Sequence, residues 1–328
     1  MNNCTYHWQK NSWQQLLDLR AKLPQALLIH GPVGIGKQAL AEVFAQLLLC
    51  EGPGELPAPC GHCDGCRWFQ AGSHPDFRRL EPEILARQRV SVEAEDEPAP
   101  AAAKPQKASS EIKVDQVREL DGFLNLHSHR GGRRVVLVHP AEAMNANAAN
   151  ALLKGLEEPQ ADAHFILVSH RPARLLPTIR SRCVALPVAL PKPEDVGPWL
   201  KEKRVADAER WLAFAGGAPL RAVAYATGAG ELIARYRQAL EARDFDALAA
   251  VNDREQLEAL AEVLQKHALD VALASCAGRG RFGQANASPN AVAWLRYARQ
   301  MGKNRMLASH PLNPRLFAGE MIAGMPKD

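Results

Sequence analysis

The chain of 328 residues is 47% hydrophobic and 23% charged, with a formal charge of +4. It is apolar enough to bury a substantial core and long enough for two or three domains, and so small a positive excess permits contact with nucleic acid without implying it. The opening MNNCTYHWQKNSW has no apolar signal core and no run of about 18 apolar residues occurs, which argues against a secreted or membrane-spanning protein and for a soluble, cytoplasmic one.

In chain order, Ala26 to His30 (ALLIH) reads as a strand ending at a glycine-rich turn, and Gln38 to Leu49 has helical apolar spacing. Arg67 to Phe77 reads as a short helix running into a loop. From about Val92 to Ser110 the chain is rich in Ala, Pro, Glu and Lys; it lacks the apolar contacts needed to offset its ordering entropy, so a mobile insertion is expected. A helix over Val114 to Leu126, a turn at Gly131-Gly132, a strand over Val135 to Val138, a helix from about Asn145 to Glu158 stopped by Pro159, and a strand over Phe165 to Ser169 follow. Strands alternating with helices predict an α/β domain whose parallel sheet is covered on both faces. Beyond Pro187 the pattern turns helical: Glu194 to Lys203, Asp207 to Ala215, Leu220 to Thr227, Glu231 to Ala242, Arg254 to Ala274 and Ala291 to Met301, with a loop over Gly278 to Pro289.

Gly31-Pro32-Val33-Gly34-Ile35-Gly36-Lys37-Gln38 leaves a strand and opens a helix, the context in which a P-loop works. Gly31, Gly34 and Gly36 let backbone N–H groups approach phosphate oxygens, the helix N-terminus adds its dipole, and Lys37 reaches the terminal phosphates. Where a hydrolase presents a Ser or Thr hydroxyl to Mg²⁺, this chain has Gln38, a poorer fit. The strand that should end in acidic residues runs into His139-Pro140, with Glu142 too far beyond to substitute for them. Nucleotide binding without hydrolysis is therefore the expectation; the plainer alternative is a tight turn with Lys37 as a solvated helix-start residue.

Of the seven cysteines, four form the spacing C-x9-C-x2-C-x2-C: Cys50, Cys60, Cys63 and Cys66, with Gly61 and Gly65 supplying the turns. Four thiolates around one ion leave no open coordination position, so a structural, tetrahedral zinc site is expected. His62 and Asp64 lie within the cluster as alternative ligands. Cys4, Cys183 and Cys276 are isolated and read as reduced thiols.

Asn147 to Pro159 (NAANALLKGLEEP), Phe165 to Ser169 (FILVS) and Leu176 to Cys183 (LPTIRSRC), taken with the P-loop and the cysteines, resemble the clamp-loader branch of the AAA+ family. The degraded metal-handling residues are similar to its delta-prime type rather than to the ATP-hydrolysing gamma or tau type. The resemblance covers about the first 186 residues closely and the helical remainder loosely. It implies an AAA+-type domain to residue 186, carrying the zinc module (about 50 to 66) and the insertion, then a small helical lid over 187–228 and a C-terminal all-α domain over 229–328 that joins other subunits in a collar. It implies that Arg182 is an arginine finger entering a neighbouring subunit's ATP site, and that Ser169 and Arg221 match the two sensor positions. It also implies a non-motor role, with no independent ATPase activity, in the hetero-oligomeric DNA polymerase III complex that loads the sliding clamp on primed DNA, with gamma or tau and delta as partners. Arg130, Arg133 and Arg134 are either DNA-backbone contacts or a solvated loop. Two rival readings are an autonomous motor ATPase of the gamma/tau type and a zinc-bearing nucleic-acid-binding module.

Overall fold

The computed structural model describes residues 6–53, 56–93, 108–125, 132–158, 162–282, 286–308 and 313–326. The chain divides into two compact units, Met1–Leu190 and Pro191–Asp328.

In the first unit the elements run α1 (Lys10–Arg20), β1 (Ala26–His30), α2 (Lys37–Leu48), α3 (Asp64–Gln70), β2 (Phe77–Leu80), α4 (Glu83–Glu93), α5 (Val114–Asn125), β3 (Arg134–Val138), α6 (Ala146–Glu157), β4 (Ala163–Ser169), α7 (Pro177–Arg182) and β5 (Val184–Pro187). The strands form one parallel sheet in the order β2-β3-β4-β1-β5. β3 and β4 are buried along their whole length, which is why their sequences are nearly continuous apolar runs. One face of the sheet, with Leu28, Val136, Val138, Phe165 and Leu167, packs with Val117, Leu120 and Phe123 of α5 and Leu152 and Leu156 of α6. Strand alternation sends the intervening residues to the other face, where α2 contacts β1, β3 and β4. This is the parallel α/β sheet, covered by helices on both faces, that the alternating strands and helices predict.

Several elements differ from the sequence reading. α1, α4, β2 and β5 were not expected, and the helix placed over Arg67 to Phe77 is in fact α3, starting three residues earlier, with Phe77 opening β2. α4 runs into the start of the expected insertion; residues 94–107 of that segment lie outside the described residues. Arg130 does as well. Arg134 is no solvated loop residue: it opens β3, is 3% exposed, pairs with Asp162 at 2.5 Å and donates to the carbonyls of Phe123 and Leu124. Its charge is spent inside the fold, which removes it as a DNA contact.

Among its described residues the second unit is helical: α8 (Pro193–Glu202), α9 (Ala208–Phe214), α10 (Pro219–Ala224), a π-helical turn (Tyr225–Ala229), α11 (Gly230–Glu241), α12 (Phe245–Ala249), α13 (Arg254–Ala277), α14 (Ala291–Leu307) and α15 (Pro314–Ala323). The 24-residue α13 is capped by Asp253, stopped by left-handed Gly278, and packs chiefly on α14. α12 and α15 were not expected from the sequence. No helix among the described residues is long and apolar enough to cross a membrane.

Candidate functional site

Helix α2 has a candidate site at each end. At its N-terminus the chain leaves β1 through Gly31, whose N–H donates to the Ser169 carbonyl at 3.3 Å. A side chain at Gly31 would run into the Val188 carbonyl, and Gly34 and Gly36 have φ of 81° and 87°, so the loop requires its glycines. Gly36 is the N-cap of α2 and offers no capping side chain, which leaves the first-turn N–H groups without intrahelical acceptors. Backbone N–H groups at a helix N-terminus are an arrangement that suits an anion.

The side chains are turned elsewhere. Lys37 is 2% exposed and its Nζ donates to the Pro32 carbonyl of its own loop at 2.5 Å. Burial lowers its pKa to about 8, against the opposing pull of Glu142. Gln38 donates to Glu42 at 3.0 Å, and Glu42 is held by Arg79 at 2.5 Å. The residue at the expected metal-hydroxyl position is therefore tied into a side-chain chain on the flank of the helix. Ser169 is fully buried, and its Oγ accepts from the Arg171 N–H, the cap of a strand end.

Glu142, four residues past the end of β3, is brought back by the 3₁₀ turn Ala141–Ala143. Its Oε1 accepts from the His170 N–H at 2.9 Å, while Oε2 is buried without a protein partner. His139 and His170 stand edge to face, 5.3 Å between ring centres, each with a buried Nδ1 that has no protein partner. Burial first lowers both to about 4, with His170 adding to it for His139, and Lys37 and Arg171 for His170, so they are neutral at pH 7. His170, Tyr6, Trp8 and Gln9 also belong to this site and carried no local sequence signal beyond the aromatic opening of the chain. Trp8 and Gln9 both donate to the Ile35 carbonyl, at 3.2 and 2.9 Å.

Just past the C-terminus of α2 the thiols of Cys50, Cys60, Cys63 and Cys66 gather with all sulfurs within 4.8 Å of one another. The Cys50–Cys63 and Cys60–Cys66 sulfurs are 3.9 Å apart. A tetrahedron with Zn–S bonds of about 2.3 Å has edges of about 3.8 Å, so the cluster already has the dimensions of a zinc site. Backbone N–H groups of Glu51, Gly52, Cys60, Cys63 and Cys66 point at these sulfurs from 3.3 to 3.4 Å, an arrangement that favours thiolate. Such bonds, from His62 and Cys63, bring the Cys60 thiol down to about 6, whereas burial pushes the Cys50 and Cys66 thiols up. Left-handed Gly61 makes the turn, and a side chain at Gly65 would strike the Leu49 carbonyl. His62 is turned to the Cys60 carbonyl instead of joining the sulfurs. The donor set and its geometry fit one metal ion with no open position. Cys183 and Cys276 lie apart from it as free thiols, Cys183 raised to about 11 by burial.

Arg182 ends α7, on the surface of the first unit. Its guanidinium bonds Glu157 at 2.6 Å and the Thr178 carbonyl at 3.0 Å, and it is 35% exposed. Arg221 lies in the second unit, where its guanidinium bonds Glu262 at 2.5 Å and also Tyr225. Lys266 and Arg305 approach the same carboxylate at 2.7 and 3.4 Å. Burial works against the charge of Glu262, yet these three cations hold it well below the usual carboxylate range.

The family described as DNA polymerase III, delta subunit, matches residues 8–192. DNA polymerase III subunit delta' of Pseudomonas aeruginosa is 47% identical over 221 residues, covering 66% of this chain and 60% of that protein. The corresponding subunit of Escherichia coli is 35% identical over 228 residues, covering 68% and 61%. Subunit tau of Salmonella typhimurium is 31% identical over 163 residues, covering 50% and 21%. The matches thus span about three-fifths of the delta' relatives' length. A gamma subunit-related protein of Thermotoga maritima superposes with a TM-score of 0.47 at 16% identity, covering 95% and 97% of the two chains. With more than half its length matched, through the P-loop, the cysteine cluster and α7, the chain belongs to the DNA polymerase III delta-subunit family.

Proposed function

We propose that this protein is a non-motor, stator-like subunit of the DNA polymerase III clamp loader, which helps place the sliding clamp on primed DNA and lends Arg182 to the ATP site of a neighbouring gamma or tau subunit. One contrast supports this reading above others: Lys37 and Gln38 are engaged within their own unit, whereas Arg182 stands at the surface. Phosphoryl transfer depends on charge neutralisation and positioning, so a loop with neither a metal hydroxyl nor a strand-end carboxylate is poorly equipped for it. A planar, permanently charged fork suits a γ-phosphate whose charge is spread over several oxygens. Glu157 would hold that fork in place until the neighbour's triphosphate replaces it.

In the same reading Cys50, Cys60, Cys63 and Cys66 hold a structural zinc ion. Gly31, Gly34, Gly36, Lys37 and Gln38 form a nucleotide cradle without turnover, with Ser169 and Arg221 at sensor positions, and Arg221 would have to leave Glu262 to reach a phosphate. Residues 1–186, 187–228 and 229–328 serve as nucleotide-binding-like domain, lid and collar domain. Gamma or tau and delta are the partners, in the cytoplasm. The experiment is Arg182→Ala in a reconstituted loader. ATPase of the assembled complex is expected to fall by about 10³-fold or more, with assembly and zinc content unchanged. Unchanged ATPase in an intact complex contradicts the finger assignment.

A further inference from the structure

We propose that the segment Tyr6–Gln9 is a strap that closes the P-loop, so that nucleotide enters only when the strap lifts. The strap turns as one 3₁₀ turn, His7–Gln9, with the Tyr6 and Trp8 rings stacked 4.7 Å apart and 6° from parallel. Its side chains converge on two consecutive residues of the loop. The indole N–H of Trp8 and the amide of Gln9, a fully buried residue, both donate to the Ile35 carbonyl. The Tyr6 ring lies over Gly36 so closely that a Cβ there would run into it.

This matters because Ile35 and Gly36 belong to the stretch of loop whose N–H groups must be open to phosphate. A loop whose carbonyl is held by two donors and whose glycine is roofed by an aromatic ring is fixed in one conformation. In that conformation the lysine serves its own loop, through the Pro32 carbonyl. The strap is itself anchored. It leads directly into α1, whose Trp13 donates to the Pro57 carbonyl at 3.0 Å and whose Arg20 donates to the Leu56 carbonyl at 2.9 Å. Both acceptors belong to the loop between Cys50 and Cys60, so the cysteine cluster and the strap grip the two ends of α2 as one assembly.

The inference rests on the proposed reading of residues 31–38 as a phosphate cradle, and it needs no partner subunit for its test. The affinity of the full chain for a fluorescent ATP analogue is measured for the wild type, Tyr6→Ala/Trp8→Phe, and the same double variant carrying Lys37→Ala. Zinc content and thermal melting establish that each is folded. The double variant is expected to bind at least about tenfold tighter, from one lost hydrogen bond together with the lost ring packing over Gly36. The gain should vanish with Lys37→Ala. A folded double variant with wild-type affinity, or a gain that survives Lys37→Ala, overturns the strap. Absence of binding in all three overturns the cradle as well, whatever the Arg182 experiment gives. Should the double variant fail to fold, Trp8→Phe alone, which removes a single donor, is expected to tighten binding about fivefold, and no change overturns the proposal.

Discussion

The two ends of helix α2 solve different problems with the same material. At the C-terminal end four sulfurs and five backbone N–H groups point inward to a common centre, so main chain and side chains serve one purpose. At the N-terminal end the main chain is that of a phosphate loop, while its side chains are committed to a carbonyl and to a flank ion pair. Backbone geometry is set by glycines and is blind to whether chemistry follows. Catalysis needs particular side-chain groups in particular places, and here Gln38 and His139-Pro140 stand where a metal hydroxyl and strand-end carboxylates are expected.

The largest test of this contrast is at the cysteine end. Cys66→Ser replaces a buried sulfur, and the protein should lose bound zinc by elemental analysis together with ~3 kcal/mol or more of unfolding stability. Full zinc content in the variant would break the tetrahedral reading. Acid titration probes the other end. His139 and His170 are depressed to about 4, so above the unfolded-state value near 6.5 they are neutral in both states and their contribution is intact. As pH falls from about 6.5 to 4 the unfolded chain takes up protons first, and stability should drop by up to about 3 kcal/mol per imidazole. Urea midpoints against pH measure this, and His139→Gln should flatten the slope; an unchanged slope would mean that the imidazoles are solvated. The smallest effect is expected for Lys37→Met, which removes a buried ammonium whose partner is a single carbonyl. Its urea stability should stay within about 1 kcal/mol of wild type, and a loss of several would show that the lysine pins the fold.

What the sequence made legible follows the same division. The β1 strand, the glycine loop, α2, the cysteines, β3, α6 and β4 are written in local pattern, because a 3.6- or 2-residue period or a fixed spacing specifies each of them. β2 was hidden because an edge strand reading Phe-Arg-Arg-Leu satisfies its charges sideways, Arg79 on Glu42 and Arg78 over the Phe123 ring. α1 was hidden because its polar sequence carries a weak stripe and is fixed by distant partners, Trp13 against Phe44 and Pro57. Arg134 read as surface because its partners, Phe123, Leu124 and Asp162, are at least ten residues away. The motif gives the position of Lys37 and not its rotamer, so its bond to the Pro32 carbonyl was not legible, and Glu142 read as remote because a single 3₁₀ turn brings it back.

The central claim, that this chain has a nucleotide loop it cannot use for hydrolysis, is tested most directly by Mg²⁺-dependent ATP turnover of the purified chain without any other subunit. The account predicts no hydrolysis above the buffer background. Repeated turnovers that disappear in a Lys37→Ala variant would contradict it.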